Sequence, residues 1–171
     1  MDAASANASE RKLLSIYLND HLAGATGGVE LAARAVRSSR GRNPDISTRV
    51  KALSEEIRAD RHSLQEIMAS LGVRTARYKV FGAWVAEKVG RLKLNAAVFR
   101  RSPLSALIEL EALNVGVQGK RSGWRTLLAA AAHEPDLDAR HLRDLVDRAQ
   151  QQLTELEDLH EEVAARLSDQ R

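Results

Sequence analysis

The 171-residue chain contains no cysteine, three prolines and six aromatic residues (Phe 2, Tyr 2, Trp 2). Without cysteine there are no disulfides, thiolate metal ligands or thiol nucleophiles, and the composition suits a reducing compartment. No window approaches the roughly 20 consecutive apolar residues that a membrane-crossing helix needs. Met1 to Lys12 is small and polar and lacks the apolar stretch of a secretory signal. A cytoplasmic location is therefore expected. Alternating β-branched or aromatic runs and hairpin dipeptides such as Asn-Gly are also missing, so strands are not expected.

What is present is helical. Residues are 44% hydrophobic and 29% charged, and the apolar ones recur at three and four, which keeps them on one helix face. The spacing predicts four long helices over about 9–38, 45–71, 103–132 and 138–168, with residues 1–8 disordered and a crossover over 73–102. The first carries Leu14, Leu18, Leu22, Ala25, Val29, Ala32 and Val36. The second carries Ile46, Val50, Leu53, Ile57, Leu64, Ile67 and Leu71, with Asp60 in the same line and Gly72 as its stop. The third starts at Ser102-Pro103, a preferred cap and first-turn pair, and carries Leu107, Leu110, Leu113, Val117, Trp124 and Leu128. The fourth carries Leu142, Leu145, Ala149, Leu156, Leu159, Val163 and Leu167.

Such helices are roughly 40 to 48 Å long at 1.5 Å per residue, and short links join the first to the second and the third to the fourth. The expected fold is all-α: one domain, a four-helix bundle of two antiparallel hairpins with a long, partly helical crossover between helices two and three. Four of the six aromatics, Tyr78, Phe81, Trp84 and Phe99, fall in that crossover.

The net charge of +3 is the sum of uneven parts. Arg74 to Arg101 carries eight basic residues against one acidic, and Glu134 to Arg171 carries five basic against eleven acidic. Arg77, Lys79, Lys88, Arg91, Lys93, Arg100 and Arg101 therefore form a candidate basic surface for an anionic membrane face or a nucleic-acid backbone. The plainer reading, favoured here, is a covering helix whose cations meet solvent or the acidic last helix.

Two long hairpins with a middle crossover, and segments such as Leu14-Ser15-Ile16-Tyr17-Leu18-Asn19-Asp20-His21-Leu22 and Leu107-Ile108-Glu109-Leu110-Glu111-Ala112-Leu113, resemble the ferritin-like superfamily, in particular its uncharacterised bacterial members. The resemblance covers residues 9 to 168. It implies a bundle in which metal-bearing members supply one Glu from each of two helices and a Glu-x-x-His from each of the other two. Glu157-Asp158-Leu159-His160 matches that pattern formally, but Glu157 is off its helix's apolar line, and the residue three after Glu56 is Ala59. The resemblance thus implies the fold more than the iron or manganese chemistry. A degenerate metal-carboxylate site would draw on Glu56, Asp60, Glu109 and His21 or His160.

Asp60 is the most informative residue, because an unpartnered carboxylate in an apolar line is costly. One reading makes it a ligand or a pH-sensitive charge. The favoured reading pairs it with Lys120, which lies in its own helix's apolar line between Val117 and Trp124. Tyr17, Asp20 and His21 bring a phenol, a carboxylate and an imidazole within one turn, and they read first as seam residues. Glycines at 24, 27 and 28 and at 116, 119 and 123 weaken two helices by about 1 kcal/mol each relative to Ala. Their spacing predicts close approach of helices one and three; the alternative is a local distortion of helix three that leaves room for a ligand. No phosphate-loop, dinucleotide-binding or Ser-nucleophile motif is present. The function expected is that of a non-catalytic binding or interaction protein without a resident cofactor, self-associating as a homo-oligomer.

Overall fold

The structure, a computed structural model, describes residues 3–39, 43–75 and 103–168. Four helices make it up: α1 (Ala3–Ser39), α2 (Pro44–Ser70), α3 (Pro103–Ala130) and α4 (Ala139–Ser168). No strand occurs among the described residues, and the protein is an all-α four-helix bundle. Helix α1 starts at Ala3 and not at Ser9: the run Ala3-Ala4-Ser5-Ala6-Asn7-Ala8 is rich in the best helix former and extends the helix beyond the amphipathic part.

The helix ends follow local chemistry. Asn43 has extended backbone and its side chain accepts from the Asp45 amide at 2.8 Å, with Pro44 opening α2. At the other end Gly72 takes φ +66, its amide bonds the Ala69 carbonyl and the Val73 amide bonds that of Met68. Those two bonds form a Schellman stop. Asp138 caps α4 by accepting from the amides of His141 and Arg140, and these bonds hold its carboxyl below the usual aspartate range.

Helix α1 packs on α2 and α3, and α3 packs on α4, while α2 and α4 have few close backbone approaches. Every neighbouring pair is antiparallel. Ser38 meets Glu109, His21 meets Gly123, Asp60 meets Arg148 and Glu111 meets His160. The Ser70 hydroxyl donates to the Asp136 carbonyl, so α2 ends beside the α3–α4 loop, whereas α3 begins near the C-terminal end of α1. The two points that the crossover joins therefore lie at opposite ends of the bundle.

The core is aliphatic. Leu18, Val50, Leu53, Ile57, Leu64, Met68, Leu110, Leu113, Val117, Leu127, Leu142, Leu145, Leu153, Leu156 and Leu159 are all buried, and each such burial stabilises by about 1.5–3 kcal/mol over exposure. In α3 the fully buried position is Leu127, with Leu128 only partly covered. Asn19 ties α1 to the chain leaving α2, since its Nδ2 donates to the Ser15 and Arg74 carbonyls.

Candidate functional site

Among the described residues the interior holds one charged network. Asp60 is 1% exposed. Its Oδ2 accepts from Lys120 Nζ and, at 3.0 Å, from Gln152 Nε2, while its Oδ1 accepts from Arg148 Nε at 2.7 Å. Gln152, equally buried, accepts from Lys120 through Oε1 and also donates to Glu56 Oε2 at 3.0 Å. One carboxylate thus serves two cations, and a glutamine closes the ring. Burial holds the Lys120 ammonium below the usual lysine range, while the negative charges of Asp60 and Glu56 pull the other way.

The structure brings Asp60 and Lys120 together, and it adds Arg148 and Gln152. The apolar line of α4 steps from Ala149 to Leu156 and leaves a gap that Gln152 and Leu153 fill, so a polar residue at a core position was there to be noticed. Arg148 carried no such signal, because it flanks the line and reaches inward with a long side chain. The same long reach spans the rest of the α2–α4 seam, where Arg49 binds Glu155 at 2.7 Å and Glu162 at 2.9 Å.

Beside this network, α1, α2 and α3 enclose a cavity of about 590 Å³. On α1 its wall is Tyr17, His21, Gly24, Gly28 and Leu31; on α3 it is Ala112, Gly116, Gly119 and Gly123. Both sets step by three and four, so each is one helix stripe, and the two face each other. Helices α1 and α3 pack on each other as expected, but the tight contact falls at Gly123 and not along the whole of the two glycine stripes. A Cβ added at Gly24, Gly28, Gly116 or Gly119 would meet nothing within 4 Å, and only at Gly123 would it collide, 2.8 Å from His21 Cε1. Helix α3 stays helical throughout, so the glycines leave space and not a kink. Gly24, Gly116 and Gly119 are exposed, which opens the cavity to solvent along its glycine side.

Three polar side chains from the lining matter most. Trp124 is 3% exposed and its indole Nε1 has no hydrogen-bond partner; Arg61 Nε is likewise buried and unpartnered. His21 packs against Tyr17 with ring centroids 4.4 Å apart and ring planes tilted by 59°. Burial pushes its imidazole below the usual histidine range, with exposed Asp20 acting in the opposite sense.

The five residues considered for a metal are not brought together. Glu109 receives the Ser38 hydroxyl, eleven residues and about 16 Å along α3 from Lys120. His160 pairs with Glu111 at the outside of the α3–α4 seam, and His21 lies against Gly123 across the cavity wall. Glu56 and Asp60 do converge on Gln152, but both Asp60 oxygens are engaged by cations. Among the described residues no group of three or more His, Asp or Glu is placed to hold a metal ion, so the donors present do not fit the two-metal centre that the ferritin-like resemblance implies. The basic residues 77, 79, 88, 91, 93, 100 and 101, and the aromatics of the crossover, lie outside the described residues. None of the described helices is long and apolar enough to cross a membrane. No protein-family model, curated protein or solved structure matches the chain.

Proposed function

We propose that this chain is a non-catalytic binding protein of ferritin-like architecture, whose cavity between α1, α2 and α3 receives a small, largely apolar molecule. The observation that carries the reading is the pair of glycine stripes. Each glycine in a helix interior costs about 1 kcal/mol relative to Ala, and at four of these positions a methyl group would fit without contact. Backbone packing therefore gives no reason for them, whereas an unfilled volume does. The volume lies within the range of about 300–1,000 Å³ common for small-molecule sites, and like them it is mostly apolar with a few polar groups. Antiparallel hairpins joined between opposite ends of the bundle support the ferritin-like part of the reading.

The test is binding of a neutral apolar dye, phenylnaphthylamine, followed by its fluorescence. The protein should bind it saturably, and Gly119→Leu, which fills the cavity from a position with room for a side chain, should abolish binding while leaving the far-UV circular dichroism unchanged. Undiminished binding by the filled variant overturns the proposal.

Self-association is a second reading, favoured by Leu104, Ile108 and Val115, which are exposed on one face of α3, with Val115 73% exposed. Its occupant is a second copy of the chain. Sedimentation equilibrium should then show a dimer or larger species, and a monomer at high concentration refutes it.

A further inference from the structure

We infer that the ligand of this cavity is an amphiphilic carboxylate, with its anionic head on Arg61 and Trp124 and its apolar body along the glycine stripes. The inference rests on the cavity being a binding site, as proposed above, and deepens that reading by naming the ligand's chemistry.

Two of the residues that line the cavity, Trp124 and Arg61, each hold a buried, unpartnered polar atom, Nε1 and Nε, and both atoms are donors. A buried donor left without an acceptor costs about 1–3 kcal/mol, so the site is built for something that only accepts. An ionised carboxylate is such a group, with two oxygens and no proton to give. Asp60 cannot meet this need, because its oxygens are already held by Lys120, Gln152 and Arg148.

The donors also sit at one level of the bundle. Arg61 follows Asp60 on α2, Trp124 is one turn beyond Lys120 on α3, and Asp60 and Lys120 are bonded to each other. Charge points the same way. Asp60 is matched twice, by Lys120 and Arg148, and Arg61 adds a third cation against the two carboxylates of Asp60 and Glu56. Exposed Asp20 stands on the solvent side, and burial favours the neutral form of His21. From that level Gly24 and Gly28 run on toward Leu31, opposite Gly119, Gly116 and Ala112, and give an apolar body a trough without side chains. At roughly 30 Å³ per heavy atom, the share of one liquid water, the volume holds about 20 such atoms.

The experiment compares dodecanoate with dodecanol, which share a chain and differ in the head. Trp84→Phe leaves Trp124 as the single tryptophan, so its emission reports binding at the site. Dodecanoate should bind at least about tenfold more tightly, the size of one charge-assisted hydrogen bond. Arg61→Met should bring dodecanoate down to the affinity of dodecanol and leave dodecanol unchanged; Arg61→Lys, which keeps the charge, serves as the second variant if the first unfolds, and should restore part of the preference. Equal affinity for acid and alcohol in the parent protein overturns the carboxylate assignment while the cavity reading stands. Absence of binding by both overturns the two together.

Discussion

Replacing Asp60 by asparagine is expected to destabilise the bundle more than replacing Lys120 by methionine, although the two form one ion pair. The asymmetry follows from the stoichiometry of the network. In Asp60→Asn the shape is kept but both Lys120 and Arg148 lose their shared counter-charge. The Arg148 side chain is 34% exposed and can turn toward water, whereas that of Lys120 is 14% exposed and remains a buried cation. Breaking a buried pair in this way costs about 3–5 kcal/mol. In Lys120→Met, Asp60 keeps Arg148 Nε at 2.7 Å and Gln152 Nε2 at 3.0 Å. The loss is then the charged hydrogen bonds to Asp60 and to Gln152 Oε1, about 1.5–3 kcal/mol each, offset in large part because the buried ammonium's desolvation cost disappears with it and methionine restores the apolar contacts of the lysine stem. For a chain of this size each kcal/mol moves the melting temperature by about 2–4 °C, so Asp60→Asn should lower Tm by roughly 6–20 °C. Urea titration at neutral pH, followed by far-UV circular dichroism, gives the free energies directly. The double variant should recover part of the loss, since it removes the stranded cation. A Lys120→Met cost equal to or larger than that of Asp60→Asn would refute the reasoning.

Other perturbations separate the remaining features. Gly24→Ala and Gly28→Ala should each stabilise by about 1 kcal/mol through helix propensity, whereas Gly123→Ala must displace the His21 ring and should lower Tm, an effect that vanishes in a His21→Ala background. Gly72→Ala should cost about 1 kcal/mol or more, because a Cβ is strained at positive φ; a neutral result in urea titration would contradict the Schellman geometry. His21 has its pKa lowered by burial, so the unfolded chain takes up a proton first as pH falls below about 6.5. Its contribution is therefore present above that pH and is lost on acidification through the folded-state pKa. Relative to His21→Gln, the parent protein should lose stability over that window, and parallel pH curves would sink the assignment.

The helices were legible because their signals are local. Pro44, Gly72 and Pro103 act on their own turns, and the apolar line of α2 from Ile46 to Ile67 is buried in the structure. The start of α1 was not legible from periodicity, since an alanine-rich turn has propensity without an apolar face. The site was half legible. A charge in an apolar line marks Asp60 and Lys120, but which α4 side chains reach them depends on helix rotation and spacing, which no single helix encodes. The glycines illustrate the same limit. Their period identifies a common face, yet the room left beside that face is bounded by Leu18, Leu64, Leu113 and Trp124, residues on three different helices.

The doubly paired carboxylate also makes the two hairpins unable to slip past each other unnoticed. A slide of α4 by one turn, about 5.4 Å, would set either Asp144 or Gln152 where Arg148 now faces Asp60. In the first case two carboxylates would be opposed; in the second a neutral amide would stand where Arg148 now supplies a cation to Asp60. Aliphatic seams tolerate such slips at little cost, because one leucine resembles the next. Here the interior charges act as an index mark: they are read once, at assembly, and reject every alignment of the hairpins but one.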